Sequence, residues 1–481
     1  MPKNLCFFTF YGILLRVSKR GYIMENIELS IDEKEYLLKQ SYTYRYEKDD
    51  YEKAKKRLEE IISNLQATFI ENGNELSYKC SRIKTENSLL NKLLKKYKKG
   101  EIENCEDMHD IVGVRLVCLS PSDVYAFEEL IDNCPDFEVI EKDKPKDYIK
   151  FPKESGYMSL HKIVEVPIET YAGVKKVKCE IQLRTIFMDM ISRIEHKLGY
   201  KGNASEEDKI TFSELSAIFN SYDYQLDNLF KIENYKPKKY SEEELAPYQE
   251  AYDKVKKIYD LIYTNMDLLI NNCVKEYENN EDILHVVSRY KPVQSIKRKL
   301  EKNGDDCTSD DILYNIRDVI GFKIVCVDEN AAREFIETLR SKIESNNMLK
   351  ITDTSDRLNK PKKSGYRGYK MNVAPVMMGE RDINMEIIVR TMVNDAWTQH
   401  HDKVFNREDS YSSTDDYDRT YRQLQGISYA FHRLENELSE LIQKYKGMPI
   451  TPARDLVSEI EQYKLDKDTQ VLKLTPNKNG E

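Results

Sequence analysis

The sequence DIVGVRLVCL at residues 110–119 returns as DVIGFKIVCV at residues 318–327. Each copy begins with an aspartate and continues as an apolar run of strand length. That run is rich in valine and isoleucine, which is typical of a buried β-strand. Glycine is the fourth residue of both copies and a basic residue is the sixth. These ten residues predict one β-strand, with an aspartate at its entrance, that occurs twice in the chain.

Three more blocks repeat on either side of this strand, in the same order and 206 to 209 residues apart. A fixed offset shared by several blocks indicates a duplicated domain. The repeated blocks are RIKTENS (82–88) and RYKPVQS (289–295), PKESGY (152–157) and PKKSGY (361–366), and EIQLRT (180–185) and EIIVRT (386–391).

The duplication divides the 481 residues into two domains of ordinary size. Residues 1–23 are predicted to lie outside the fold, either as a disordered extension or as residues upstream of a true start at Met24. Residues 24–235 form the first, catalytic domain and residues 236–446 the second, divergent one. A largely disordered tail is expected over residues 447–481.

Each repeat predicts an α/β fold, a mixed β-sheet flanked by helices. The repeated strand is followed by a helix (122–133 and 329–345), further strands and a closing amphipathic helix. In the block EIQLRT, alternation puts Glu180, Gln182 and Arg184 on one face of a strand. Additional charged helical segments are expected at about 30–70, 206–280 and 416–446.

Composition excludes several classes of protein. The net charge of -9 argues against a DNA-binding protein. The apolar stretch at residues 5–17 is shorter than the ~20 residues that a membrane helix needs, so no membrane association is expected. Nine cysteines without a C-x-x-C pair indicate reduced thiols in a cytoplasmic protein.

The first repeat places two carboxylates, Asp110 and Glu180, at strand boundaries within an otherwise basic set. Mg²⁺ binds through one or two carboxylates together with substrate phosphates, and cations around them neutralise charge on transferred phosphoryl groups. The set therefore predicts nucleotide phosphoryl or nucleotidyl chemistry with Mg²⁺ as cofactor. Its basic members are Arg82, Lys84, Arg115, Lys144, Lys146, Lys153, His161 and Arg184.

The joint order of the blocks resembles the synthetase domain of the RelA/SpoT family, and in particular a small alarmone synthetase in two tandem copies. KPKDYI (144–149) followed by PKESGYMSLH (152–161) is similar to the acceptor-binding loop of that family. EIQLRT resembles its second catalytic block, and R-x-K with D-x-x-G-x-R resembles its ATP-binding half. The resemblance covers about residues 75–202 closely and 284–404 more loosely. It implies two tandem nucleotidyltransferase-like synthetase domains.

The resemblance also implies a reaction, the transfer of the β,γ-pyrophosphate of ATP to the 3'-hydroxyl of GDP or GTP, which makes (p)ppGpp. Asp110 and Glu180 would be catalytic and would bind the metal, Glu180 either sharing the ion or accepting the hydroxyl proton. The ATP-binding residues would be Arg82, Lys84, Ser88 and Arg115. The acceptor-binding residues would be Lys144, Lys146, Lys153, Tyr157, His161, Gln182 and Arg184. Their equivalents in the second repeat are Arg289, Lys291, Asp318, Tyr366 and Glu386.

Departures from the family pattern leave alternatives open. Ser155 stands where many members have an asparagine that helps to recognise guanine, so an adenine nucleotide or the 3' end of tRNA remains an alternative acceptor. Lys323 replaces the stacking arginine in the second repeat, which predicts a silent copy with a regulatory or packing role. A third possibility, besides a synthetase and an enzyme that modifies tRNA, is a nucleotide sensor in which both repeats bind and neither transfers. We also expect a homo-oligomer or an internal pseudo-dimer, because duplicated domains often reuse one interface.

Overall fold

The computed structural model describes most of the chain and shows a mixed α/β architecture. The first 28 residues, and with them the predicted extension at 1–23, lie outside the described residues. The described ranges are 29–74, 76–101, 104–140, 146–153, 155–200, 205–230, 240–279, 282–358, 360–376, 381–405, 414–445 and 454–474.

Eleven strands within the described residues form two sheets of the same design. The order is β1-β2-β6-β5-β3 in the first sheet, where β4 also pairs with β5, and β7-β8-β11-β10-β9 in the second. Only β2 with β6 and β8 with β11 pair in parallel, so both sheets are mixed, as predicted. The strands are β1 (Leu76–Ile83), β2 (Val112–Cys118), β3 (Glu138–Ile140), β4 (Lys146–Asp147), β5 (Leu160–Thr170), β6 (Gly173–Thr185), β7 (Ile283–Tyr290), β8 (Ile320–Cys326), β9 (Leu349–Asp356), β10 (Tyr369–Pro375) and β11 (Met385–Thr391).

Helices flank these sheets, and several of them begin at equivalent caps in the two repeats. Ser120 accepts a hydrogen bond from the backbone N–H of Asp123, and Asp328 accepts one from that of Ala331, which starts a helix directly after β2 and after β8. The helices are α1 (Ile31–Glu71), α2 (Glu86–Lys98), α3 (Pro121–Asp132), α4 (Ile186–Tyr200), α5 (Glu206–Phe230), α6 (Glu242–Glu276), α7 (Val293–Asn303), α8 (Ser309–Asn315), α9 (Glu329–Glu344), α10 (Met392–Phe405), α11 (Thr414–Tyr445) and α12 (Leu456–Leu474), with one 3₁₀ turn at Cys105–Asp107.

The chain divides into two compact units, and the smaller one consists of residues 1–48, 85–108 and 453–481. Its core is built from Leu29, from leucines of α1 and α2, and from Leu456 and Ile460 of α12, both of which are fully buried. The tail is therefore not largely disordered as expected, because α12 occupies residues 456–474 within it. Burial of these two side chains stabilises the helix.

The larger unit comprises residues 49–84 and 109–452 and contains both sheets. One apolar cluster runs from Val117 of the first repeat to Ile442 of the second. The predicted bounds at 24–235 and 236–446 remain a prediction, since a shared core joins the repeats within this unit. Shared cores of this kind arise when each repeat buries an apolar face against its neighbour.

Equivalent elements of the two repeats meet at this contact. The ring of Tyr78 on β1 stacks on that of His285 on β7, with centroids 4.0 Å apart. These two positions are 207 residues apart, which is within the offset of the repeated blocks. The closing helices α4 and α10 also pack together. The ring centroid of Phe187 on α4 lies 5.1 Å from that of Phe431 on α11. Equivalent parts of the two repeats therefore contact each other within the larger unit, and the internal pseudo-dimer stays a prediction.

Two predictions about the whole chain can be compared with the described residues. No helix among them is long and apolar enough to cross a membrane. Of the eight cysteines that the structure describes, five, such as Cys118 and Cys179, are completely or nearly completely buried in the apolar interior.

Candidate functional site

The register of the first sheet brings the predicted residues onto one face. Gly113 of β2 lies opposite Glu180 of β6, and Arg115 lies opposite Gln182. Arg82 of β1 lies opposite Gly113 on the other side. Strand residues two apart share a face, so all of these side chains point the same way. The opposite face of β2 and β6 carries buried valine, isoleucine and leucine, which fixes this orientation.

Asp110 and Lys84 form an ion pair at the edge of this face. Lys84 Nζ lies 2.6 Å from Asp110 Oδ2, and both side chains are mostly buried. The backbone N–H of Lys84 donates to the carbonyl of Ile111 at 2.7 Å, which ties the end of β1 to the entrance of β2. The aspartate that precedes the repeated strand is therefore held beside a cation rather than at a free surface.

Glu180 is held by two polar partners. His161 Nδ1 lies 3.0 Å from Oε1 and Gln182 Nε2 donates to Oε2 at 2.7 Å. Burial acts to raise the pKa of Glu180, and the negative charge of Asp110 adds to that effect. The hydrogen bonds from His161 and Gln182, together with the electrostatic effect of His161, outweigh both, so the pKa of Glu180 lies below its usual value.

A chain of hydrogen bonds leads from Glu180 to Arg184. His161 Nε2 lies 3.0 Å from the hydroxyl of Tyr157, and Arg184 Nη2 donates to that hydroxyl at 2.7 Å. Arg184 can only donate, so the Tyr157 oxygen accepts from it. The ammonium of Lys153 lies 4.5 Å from the Tyr157 ring centroid. The tyrosine face is therefore lined with positive charge, which suits a phosphorylated aromatic ligand.

The loop before Tyr157 depends on Gly156. Its φ is +80°, a conformation that residues with a side chain rarely adopt, and a Cβ there would lie 2.9 Å from the Cβ of Ser216 on α5. Gly365 has a φ of +92° and the same close contact with Ser428 of α11. The repeated Gly-Tyr pair thus positions the tyrosine against a helix in both repeats.

Asp189 is a site residue that the sequence analysis missed. Its carboxylate is completely buried and accepts from Arg115 at 2.8 Å, from Arg184 at 3.2 Å and from Arg193 at 2.7 Å. The hydroxyl of Tyr78 donates to it as well. Burial opposes its ionisation, yet these arginines hold its pKa well below the usual range. The second repeat could have revealed it, because an aspartate recurs at the equivalent position, 395.

The remaining predicted site residues are exposed, lie on α2 or fall outside the described residues. Lys146 lies opposite His161 on β4 and is exposed, as is Arg82. Lys144 lies outside the described residues. Ser88 is in the first turn of α2, where its backbone N–H donates to the capping hydroxyl of Thr85. Its proposed role with ATP stays a prediction.

The second repeat has the same strand order as the first, but several side chains at the equivalent site positions differ. Glu386 forms an ion pair with Lys370, which stands in the place of His161. Ile388 occupies the position of Gln182, and Lys323, in the place of Arg115, pairs with Asp395 at 2.8 Å. The expected loss of a planar stacking group is therefore accompanied by loss of the histidine–glutamine pair around the glutamate.

The carboxylates of the first repeat suit a metal ion whose remaining coordination positions are filled by substrate phosphates and water. The described residues contain no group of three or more His, Cys, Asp or Glu side chains able to hold a metal. Asp110, beside Lys84, and Glu180, beside His161, supply carboxylate oxygen donors. Mg²⁺ typically takes one or two carboxylates and completes its shell with phosphates and water.

Comparison with known proteins agrees with the two-repeat pattern. The family model described as "Region found in RelA / SpoT proteins" matches residues 81–205 and 288–409. The chain is 40% identical over 154 residues to the GTP pyrophosphokinase YwaC of Bacillus subtilis, which is 31% of this chain and 70% of that protein. It is 33% identical over 156 residues to the GTP pyrophosphokinase YjbM of the same organism, 32% of this chain and 72% of that protein. The solved structure of small alarmone synthetase 2 from Bacillus subtilis shares 33% identity, covering 39% of this chain and 98% of that one, at a TM-score of 0.36.

Proposed function

This chain belongs to the RelA/SpoT family, and we propose that its first repeat transfers the β,γ-pyrophosphate of ATP to the 3'-hydroxyl of GDP or GTP. The hydroxyl oxygen forms a bond to the β-phosphorus, the bond from that phosphorus to the α,β-bridging oxygen breaks, and AMP and a proton leave. Two relatives named GTP pyrophosphokinase support this reaction. The observation that carries it is one face of the first sheet, where Glu180 lies on the same side as Arg115 and Arg184 and where Asp110 pairs with Lys84 at the edge.

Asp110 and Glu180 would hold a divalent cation, which we propose is Mg²⁺. The ion would supply neutralisation of charge on the transferred phosphates. A Glu180 with a lowered pKa is a weak base at neutral pH, which favours a role in binding the metal over acceptance of the hydroxyl proton. Lys84 lies beside Asp110 and would contact the ATP phosphates from the same edge.

The ATP base would lie between Arg82 and Arg115, which sit on neighbouring strands and the same face. Guanidinium planes stack on aromatic rings, and a stacked arginine works best when its rotamer is fixed in advance. Arg115 is fixed in this way, because Asp189 and Gln182 hold its guanidinium at 2.8 and 3.4 Å. Asp189 is thus a positioning residue for the proposed ATP site.

The acceptor would bind at the tyrosine face between Lys153 and Arg184. The Tyr157 ring would stack on the acceptor base, and Lys153, with Lys146 and His161 nearby, would contact its phosphates. Cation–π contacts at 4.5 and 5.2 Å already orient the Tyr157 ring. This preorganisation favours an aromatic base that carries phosphates.

Replacing Tyr157 with alanine tests this assignment. Loss of one base–aromatic stack costs about 1–3 kcal/mol, so the KM for GDP should rise about 5–150-fold while the KM for ATP changes little. The control is Tyr157→Phe, which keeps the ring and loses only the hydroxyl contacts, and it should keep most of the affinity for GDP. Steady-state kinetics with each substrate varied decide the matter. An equal rise in both KM values would argue against stacking on the acceptor.

The acceptor itself is identified by a transfer assay. We expect ATP with a labelled γ-phosphate to pass its label to GDP and GTP, because the tyrosine face offers a stacking ring next to cations. Parallel incubations contain AMP, ATP or deacylated tRNA. Label on tRNA or on adenine nucleotides alone would replace the guanine acceptor with one of the other two. No transfer to any acceptor would leave a sensor without catalysis.

A further inference from the structure

The second repeat contains a cavity of about 710 Å³ whose lining is strongly cationic. Among the described residues that line it, seven are lysine or arginine and three are aspartate or glutamate. We propose that this cavity binds a nucleoside polyphosphate through its phosphates, without transferring any part of it, and that the occupant acts on the first repeat. The binding part stands alone; the action on the first repeat rests on the proposed function.

Part of the positive charge is available to a ligand. Lys291 and Lys299 are both committed to Asp318, at 2.7 and 2.6 Å. Arg298 and Lys302 follow on the exposed side of α7, and neither forms an ion pair with another described residue. Such a cluster binds an anion with several charges better than a single carboxylate, because each phosphate adds oxygen acceptors.

The size of the cavity and Arg289 point to a nucleotide rather than to a phosphate chain alone. The volume lies within the range of pockets that bind small molecules and cofactors. Arg289 also lines the cavity, and its planar guanidinium can stack on a base. Lys323, on the neighbouring strand, has no planar group, so one stacking partner remains where the first repeat has two.

In the second repeat, the residues around the equivalent of the proposed catalytic glutamate differ from those of the first repeat. Lys370 pairs with Glu386 directly and Ile388 removes the amide that Gln182 supplies in the first repeat. The two partners that hold Glu180 in the first repeat, His161 and Gln182, are therefore both replaced around Glu386. Binding without transfer follows, since the phosphate-binding side is kept and the reacting side is not.

The cavity extends to the first repeat. Leu76 and Ser77 of β1 form part of its lining. The next residue, Tyr78, stacks on His285 of the second repeat and donates to Asp189, which holds Arg115. A ligand that contacts β1 would favour the ordered position of Tyr78 and, through Asp189, of Arg115. The occupant should therefore raise the rate of transfer in the first repeat.

Equilibrium dialysis with the labelled α,β-methylene analogue of ATP tests the site, because the methylene bridge prevents transfer. The full chain should bind two molecules. The variant R298E/K302E reverses two exposed charges in the cavity and should bind one, its second site being weakened about tenfold or more. The matched control K256E/K257E reverses two exposed charges on α6 outside the cavity and should still bind two. One molecule bound by the wild type, or two by R298E/K302E with unchanged affinity, would overturn the proposal.

Two further readouts locate the ligand and its effect. Trp397, the single tryptophan, lies on α10, whose Gln399 lines the cavity. Its fluorescence should change on titration of the wild type with the analogue and not on titration of R298E/K302E. Inorganic tripolyphosphate should compete, but less well than the analogue; equal competition would rule out a contact with the base.

The rate of transfer at saturating ATP and GDP should be lower in R298E/K302E by about fivefold or more, within the usual range of coupling between sites. K256E/K257E should match the wild type. An unchanged rate in R298E/K302E would overturn the action on the first repeat. The number of bound molecules is read without any transfer, so failure of the proposed function and failure of this inference give different results.

Discussion

Asp110→Asn should reduce pyrophosphate transfer by about 10³-fold or more. The substitution keeps the shape of the side chain and removes the negative charge that pairs with Lys84 and would bind the metal. A metal ion contributes several kcal/mol of charge stabilisation, and each 1.36 kcal/mol is a factor of ten in rate. The measurement is kcat with labelled ATP and saturating GDP. The KM for GDP should change little, because Asp110 lies on the proposed ATP side.

The control for this prediction is Asp318→Asn, the equivalent change in the second repeat. Asp318 pairs with Lys291 and Lys299 in a repeat that we propose does not transfer, so most of the activity should remain. The reverse ranking of the two variants would mean that the second repeat is the catalytic one. The midpoint of thermal unfolding should fall at least as far in Asp318→Asn as in Asp110→Asn, since Asp318 loses two partly buried ion pairs and Asp110 loses one.

Asp189→Asn should cause the largest loss of stability. The buried carboxylate faces the guanidinium groups of Arg115, Arg184 and Arg193, and removing its charge leaves them without a compensating anion. Breaking a buried ion pair from one side lowers the free energy of unfolding by about 3–5 kcal/mol. The midpoint of thermal unfolding, followed by circular dichroism, should fall clearly. Transfer measured well below that midpoint should also fall, because Arg115 and Arg184 lose their anchor.

The matched variant is Asp395→Asn, at the equivalent buried position of the second repeat. Asp395 pairs with Lys323 and Arg390, so its loss should also lower the midpoint. It does not contact Arg115 or Arg184, so the KM for ATP should stay close to that of the wild type. A rise in the KM for ATP as large as that of Asp189→Asn would show that Asp189 acts through stability and not through Arg115.

The pH dependence of this stabilisation follows from the lowered pKa of Asp189. A carboxylate with a depressed pKa in the folded state stabilises it fully above the pKa of the unfolded chain, about 3.9. The contribution is lost as the pH falls through the folded value. The gap in stability between the wild type and Asp189→Asn should therefore be constant from pH 7 to about pH 5 and should shrink in stronger acid. A gap that shrinks near neutral pH would contradict the assignment.

Local sequence determined the strands and their orientation. The length and the valine content of the run after Asp110 predicted a buried strand, and the structure has β2 there, over Val112–Cys118. Alternation in EIQLRT likewise placed Glu180, Gln182 and Arg184 on one face, since side chains of a strand alternate with a period of two. The duplication, read from an offset, predicted two sheets of the same design. Each of these inferences uses residues close in sequence or a copy of them.

Only the tertiary structure decided which distant groups meet. Asp189 reads as one polar residue in an apolar stretch, and its three arginines come from β2, β6 and α4. Leu76 and Ser77 of the first repeat line the cavity of the second repeat. The helix within the predicted tail is packed against leucines that lie about 360 to 430 residues earlier in the chain. Hydrophobic burial and ion pairing act between groups that the fold brings together, so separation along the chain carries no information about them.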